Sequence, residues 1–146
     1  MLNQVCTITF GETILKVFGQ YEVGWQNRPH FMKIPNAENA IIDIRKLRDY
    51  CLNPQHNKGK HKARLFSSIF GMNSNDVEAL RNILLEAVRR HDAQLAEKDA
   101  RGQRYTLDFT LKWQDKQATL RSGWIIETNS EIPKLTTAFP LIQKSN

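Results

Sequence analysis

The sequence predicts an α+β fold, because two hydrophobic periodicities occupy separate parts of the chain. Between Asp43 and roughly Glu97, apolar residues recur every three or four positions, as they do on one face of a helix. After Gly102 the interval becomes two, which is typical of strands with one buried face. We therefore predict three helices followed by an antiparallel β-meander, with an extra N-terminal β-hairpin.

The first 31 residues are predicted to form an extension of their own. They are rich in β-branched and aromatic residues and are interrupted at Gly11, which favours a hairpin. A connector that contains Pro29 and Pro35 follows. The predicted organisation is thus an N-terminal hairpin extension at residues 1–31 and a single α+β domain at residues 32–146.

The first two helices are predicted from their capping and breaking residues. The first begins after Asp43, a good N-cap, and ends at Asn53–Pro54 because proline cannot continue the hydrogen-bond ladder. The second begins near Gly59 or Lys60 and ends at Gly71, since glycine readily adopts a left-handed cap. Their predicted core positions are Ile44, Leu47, Cys51, Ala63, Phe66 and Phe70.

The third helix is predicted to start around Asn75, with Glu78 at the spacing of a capping box. It is expected to extend to roughly Glu97. One apolar face supports it, with predicted core positions Val77, Leu80, Leu84, Ala87 and Val88.

Three strands follow, in the stretches RYTLDFTLKW, ATLRSGWIIE and KLTTAFPLI. If the helices cover one face of this meander, Phe109 and Trp124 are buried and the opposite face is polar. A loop that pairs Trp113 with Ala118 would place Thr110 across from Arg121. The open face would then carry Asp108, Thr110, Lys112, Thr119 and Arg121.

The charge balance predicts a polyanionic partner. The net charge is +6, which favours nucleic acid but also suits an acidic protein. The N-terminus lacks the pattern of a signal peptide, and no apolar run is long enough to cross a bilayer. We therefore expect a cytoplasmic protein with no membrane partner.

One basic stretch, NPQHNKGKHKARLF at residues 53–66, concentrates the candidate chemistry. It holds two of the four histidines and four Lys or Arg residues, and it has no acidic residue. Histidine titrates near neutral pH and therefore suits both proton transfers of RNA cleavage, while Lys and Arg suit phosphate binding. Neither a cofactor nor a metal is expected for this chemistry.

These residue types lead to specific candidates. The candidate catalytic residues are His56, His61, Lys62 and Arg121, and the candidate nucleic-acid-binding residues are Lys58, Lys60, Arg64, Thr110 and Lys112. Within the pair of histidines, His61 in the first turn of the second helix is expected to be the base and His56 the acid. Two other interpretations remain: a solvated basic surface, and a zinc site of Cys51, His56 and His61 that lacks an evident fourth ligand.

The segment from Ile34 to Met72 resembles an uncharacterised bacterial domain family that carries a motif like NPxHPxGxHKAxxF. Asn57 replaces the second proline of that motif here. A related motif without the second histidine is similar to C-terminal domains of bacterial contact-delivered toxins. The order of helices and meander is similar to that of the barnase, colicin and RelE-like ribonucleases, which is an analogy at the level of the fold.

These observations predict a small metal-independent ribonuclease of the toxin type, an endoribonuclease that acts on RNA. Such a toxin would have an acidic antitoxin as its neutralising partner, which the charge of +6 would complement. The alternative is a non-catalytic module that binds nucleic acid or an acidic protein through the same basic stretch.

Overall fold

The computed structural model describes residues 29–142, and the helices and strands within this range belong to the unit Phe31–Asn146. Most of the hairpin predicted for residues 1–31 lies outside the described residues, and the predicted boundary at residue 31 stays a prediction. Five strands form one antiparallel sheet in the order β1-β2-β3-β4-β5. They are β1 Phe31–Met32, β2 Ala93–Asp99, β3 Gly102–Trp113, β4 Lys116–Glu127 and β5 Pro133–Pro140.

The helices lie between β1 and β2 in the chain, so the predicted order of three helices followed by a meander is wrong. Strand β1 precedes all the helices and pairs with β2, with Phe31 opposite Gln94 and Met32 opposite Ala93. The analogy with the barnase, colicin and RelE-like ribonucleases was based on that order, so it is wrong as well. A strand of two residues is too short to show an alternating pattern, and β1 is stabilised by a partner far away in sequence.

The third helix is also shorter than predicted, because Ala93–Asp99 is a strand and not the end of that helix. The stretch AQLAEKD favours helix by composition. It pairs instead with β3, where Leu95 lies opposite Tyr105 and Asp99 opposite Gly102. Tertiary pairing therefore outweighs local propensity here.

The helical segments otherwise follow their sequence signals. Asp43 accepts a hydrogen bond from the Arg45 amide, and Gly71 closes the second helix at φ 72°, so both predicted caps are confirmed. The predicted capping box of Asn75 and Glu78 is wrong: the box is formed by Asn73 and Asp76, at the start of the 3-10 turn Ser74–Asp76 that precedes the third helix. Helix α1 is α-helical at Ile44–Lys46 and π-helical at Leu47–Cys51, and helix α2 is α-helical at Lys60–Leu65 and π-helical at Phe66–Phe70. Helix α3 is an α-helix at Val77–Arg90. Two 3-10 turns lie at Ala37–Asn39 and Ser74–Asp76.

The core lies between the helices and one face of the sheet. The predicted helix core positions are buried, except for Ile44, which is half-buried. Phe109 and Trp124 are buried as predicted. The Trp124 indole N–H donates to Ser122 Oγ at 2.9 Å, and that hydroxyl donates to the Leu107 carbonyl at 3.1 Å. This pair of hydrogen bonds satisfies the polar atoms of the buried tryptophan and serine.

The register of β3 and β4 differs from the predicted one by two residues. A tight turn at Gln114–Asp115, with Gln114 at φ 56°, pairs Trp113 with Lys116. A shift of two residues keeps each side chain on its face but changes its cross-strand partner. Arg121 therefore lies opposite Asp108. Among residues 29–142, no helix is long and apolar enough to cross a membrane.

Candidate functional site

An open cleft of about 470 Å³ lies between the first two helices and strand β5. Its lining consists of Lys46 and Tyr50 from α1, Lys62 from α2, and Thr136, Thr137 and Phe139 from β5. Two of these six side chains are cationic, three carry hydroxyls and none is acidic. The lining therefore suits an anion that also carries an apolar or aromatic part.

The close approach of α2 to α1 positions the cations and the tyrosine. The Lys62 ammonium lies 3.4 Å from the Tyr50 hydroxyl and 5.0 Å from the centre of its ring. The same ammonium lies 5.7 Å from the centre of the Phe139 ring. These distances are within the range of cation–π attraction, so the two rings hold the charge at the cleft.

The strand β5 contributes two consecutive threonines because its register shifts. Thr137 pairs with Gly123, whereas Trp124 pairs with Leu135, so Thr136 is an extra residue between them. Consecutive strand residues normally point to opposite faces, and a bulge relaxes that rule. A side chain at Gly123 would lie 2.8 Å from the Thr136 hydroxyl, so glycine leaves room for this arrangement.

The free edge of β5 is covered on both sides of the threonines. Ile41 donates its amide to the Pro133 carbonyl and accepts from the Leu135 amide. Further along, the buried Cys51 side chain lies beside the Ala138 backbone. The threonines thus lie in the gap between two covered parts of the edge.

Cys51 itself is a core residue. Burial raises the pKa of its thiol, which keeps the sulfur protonated and disfavours it as a metal ligand. Within residues 29–142, no three side chains among His, Cys, Asp and Glu lie together as a metal site. The zinc grouping of Cys51, His56 and His61 therefore has no geometric support.

His56 shapes the turn before α2. Its Nδ1 accepts hydrogen bonds from the Lys58 amide at 3.0 Å and the Gly59 amide at 2.9 Å. Its ring meets the Tyr50 ring edge-on, with 4.8 Å between the centroids. An Nδ1 atom that accepts two amides carries no proton, so the neutral ring has its proton on Nε2. That N–H is the group His56 can offer to a ligand.

The other predicted residues of the basic stretch lie outside the cleft lining. His61, Lys58, Lys60 and Arg64 are exposed on the turn and on α2. Lys62 is the predicted site residue that the structure places in the cleft. The roles predicted for the exposed residues stay predictions.

The predicted residues of the sheet lie on its outer face, and Arg121 is engaged there. Its Nε and Nη2 atoms each donate to Asp108 at 2.8 Å, and this bidentate pair raises the pKa of the guanidinium. Thr110 and Lys112 are exposed on β3. In the register Arg121 is opposite Phe139, so this face borders the cleft.

Sequence reasoning missed five of the six lining residues: Lys46, Tyr50, Thr136, Thr137 and Phe139. A spacing of four between Lys46 and Tyr50 places them on one side of a helix, and that signal was available in the sequence. The bulge at Thr136 had no such signal, because it arises from pairing with β4.

Fold and cleft together define a small basic α+β domain in which a helical pair forms a cleft with two lysines against the last strand of a five-stranded sheet. Residues 33–142 match the family described as Domain of unknown function (DUF6883), and the chain belongs to this family. Comparison with curated proteins and with solved structures gave no significant match.

Proposed function

We propose that this chain is a small metal-independent ribonuclease of the toxin type that binds RNA in the cleft. The carrying observation is the proximity of the Lys62 ammonium to the Tyr50 hydroxyl in a cleft whose lining, among residues 29–142, has no carboxylate. Lys46 adds a second positive charge to the same lining. Cations fixed where a phosphate gains negative charge are the main requirement for catalysis of phosphodiester cleavage without a metal.

The proposed reaction uses the ribose itself as the nucleophile. A base removes the proton of the 2′-hydroxyl, the oxygen attacks the adjacent phosphorus, and the 5′-oxygen leaves with a proton from an acid. The products are a 2′,3′-cyclic phosphate and a 5′-hydroxyl. His56 was predicted as the acid, but a neutral imidazole is too weak an acid for this step. We therefore propose that its Nε2–H donates a hydrogen bond to the 5′-oxygen, which takes its proton from water. Lys62 stabilises the negative charge at phosphorus, and His61 remains the predicted base.

The rival proposal is a non-catalytic module that binds nucleic acid or an acidic protein. It is favoured by the two amides bonded to His56 Nδ1, since they give this histidine a structural role that needs no chemistry. An acidic antitoxin would be the partner in the toxin proposal, and an acidic protein the ligand in the rival one. The ribonuclease proposal requires His56 Nε2–H to act on the RNA during cleavage, whereas the binding module requires no chemistry from this group.

Replacing His56 with asparagine separates these roles. The amide oxygen of asparagine occupies a position similar to Nδ1 and forms the same type of turn, but asparagine has no counterpart of Nε2. We expect the purified wild-type chain to cleave single-stranded RNA in a buffer with chelator, and His56→Asn to lose at least ~100-fold in rate. Cleavage is followed by gel electrophoresis of an end-labelled RNA.

Thermal unfolding provides the control for this experiment. His56→Asn should unfold close to the wild-type temperature, whereas His56→Ala should unfold earlier because both amides lose their acceptor. A wild-type chain that binds RNA without cleaving it would support the binding module instead. Equal cleavage by wild type and His56→Asn would remove His56 from the mechanism.

A further inference from the structure

We propose that the cleft is a subsite for one unpaired ribonucleotide, with Thr137 contacting the ribose 2′-hydroxyl. This inference rests on the proposed function, because it specifies the substrate class of the same site. The phosphate would lie at Lys46 and Lys62, and the base against Phe139. Each part of a nucleotide thus has a matching group in the lining.

The dimensions and the aromatic lining favour a single nucleotide over a duplex. The cleft, about 470 Å³ in volume, has the size of a small-molecule site. Proteins recognise unpaired RNA bases by stacking them on aromatic rings, and the half-buried Phe139 lies beside a cation, as such stacking sites often do. A base within a duplex is stacked on its neighbours and cannot enter a cleft between α2 and β5.

The Thr137 hydroxyl is the feature that favours a ribose over a deoxyribose. Its Oγ1 atom is buried and has no hydrogen-bond partner among residues 29–142. Burying a hydroxyl without a hydrogen-bond partner costs free energy. A ligand group that pairs with such a hydroxyl therefore gains more binding free energy than it would from a hydroxyl at the surface. Thr137 lines the cleft, so a ligand that enters the cleft lies beside this residue. The proposed contact requires a change of the threonine rotamer, which would bring the hydroxyl to the ligand. The 2′-hydroxyl both donates and accepts, and it is the group that distinguishes RNA from DNA.

Product-like mononucleotides test this subsite without any cleavage. The probes are adenosine 3′-monophosphate, 2′-deoxyadenosine 3′-monophosphate and inorganic phosphate, titrated into the full chain by calorimetry. We expect the ribonucleotide to bind roughly fivefold more tightly than the deoxynucleotide, as for one hydrogen bond in a buried site. Both nucleotides should bind more tightly than phosphate, because phosphate lacks the stacked base.

Three variants localise the effect. Thr137→Val removes the hydroxyl at nearly constant shape and should make the two nucleotides bind equally, whereas Thr137→Ser should keep the preference. Thr119→Val, on β4 outside the cleft lining, is the matched control and should behave as wild type.

Equal affinities in the wild type, or a preference that survives Thr137→Val, would overturn the subsite. Phosphate binding as tight as nucleotide binding would do the same. RNA cleavage together with any of these results would mean that the subsite proposal alone fails. A ribonucleotide preference that depends on Thr137, in a chain that does not cleave RNA, would mean that only the catalytic proposal fails.

Discussion

Gly59→Ala is expected to destabilise the domain by about 3 kcal/mol or more, as overpacking at a rigid contact does. A Cβ atom at this position would overlap the Tyr50 carbonyl oxygen and lie 2.8 Å from the Tyr50 carbonyl carbon. Both are backbone atoms of α1, so they cannot move aside as a flexible side chain can. The start of α2 would have to separate from the end of α1, and Lys62 would leave Tyr50. Urea unfolding followed by circular dichroism measures the loss.

Gly71→Ala is the matched control for this substitution. Gly71 has φ 72°, and the nearest atom to an added Cβ would be the Lys116 Cε at 3.9 Å. Alanine there has space but adopts a left-handed conformation, which costs about 1 kcal/mol. Equal losses of stability in Gly59→Ala and Gly71→Ala would contradict the close contact between Gly59 and the Tyr50 backbone.

Lys62→Gln is expected to slow RNA cleavage by roughly 100-fold or more, the usual loss for one group that stabilises transition-state charge. The ammonium of Lys62 is held between the rings of Tyr50 and Phe139, and glutamine supplies no charge there. The fold should tolerate the change, because Lys62 is only half-buried. Initial rates on a labelled RNA at low and high salt measure the effect.

Lys98→Gln removes the same charge from an exposed position on β2 and serves as the control. It should slow cleavage only slightly, through the general attraction of a basic protein for RNA. Equal losses in the two variants would show that overall charge, and not the cleft, governs the reaction.

The local features of this fold could be predicted from sequence, and the long-range pairings could not. Asp43 and Gly71 are capping signals that act within a few residues, and the alternation around Phe109 marks a buried strand face. Strand β1 and the stretch Ala93–Asp99 become strands because of partners elsewhere in the sheet. Local propensity points to the wrong structure for Ala93–Asp99, and β1 is too short to show any pattern.

The candidate site likewise combines residues that the sequence indicated with features that depend on tertiary contacts. The basic stretch identified Lys62 and His56 from residue type alone. Gly59 is a position of the family motif, but the physical reason for a glycine there was not evident, because it is the approach of Tyr50 across the turn. Arg121 was predicted as a catalytic residue across from Thr110, but the two-residue turn sets a register that pairs it with Asp108.

The location of RNA on the domain tests the central claim most directly. Single-stranded RNA containing 4-thiouridine is bound to the His56→Asn variant, irradiated, and the crosslinked residues are identified by mass spectrometry. If the cleft is the RNA site, adducts form at Tyr50 or Phe139, whose rings flank the Lys62 ammonium. Adducts confined to the outer sheet face around Thr110 and Arg121, with none at the two rings, would contradict the assignment of this cleft.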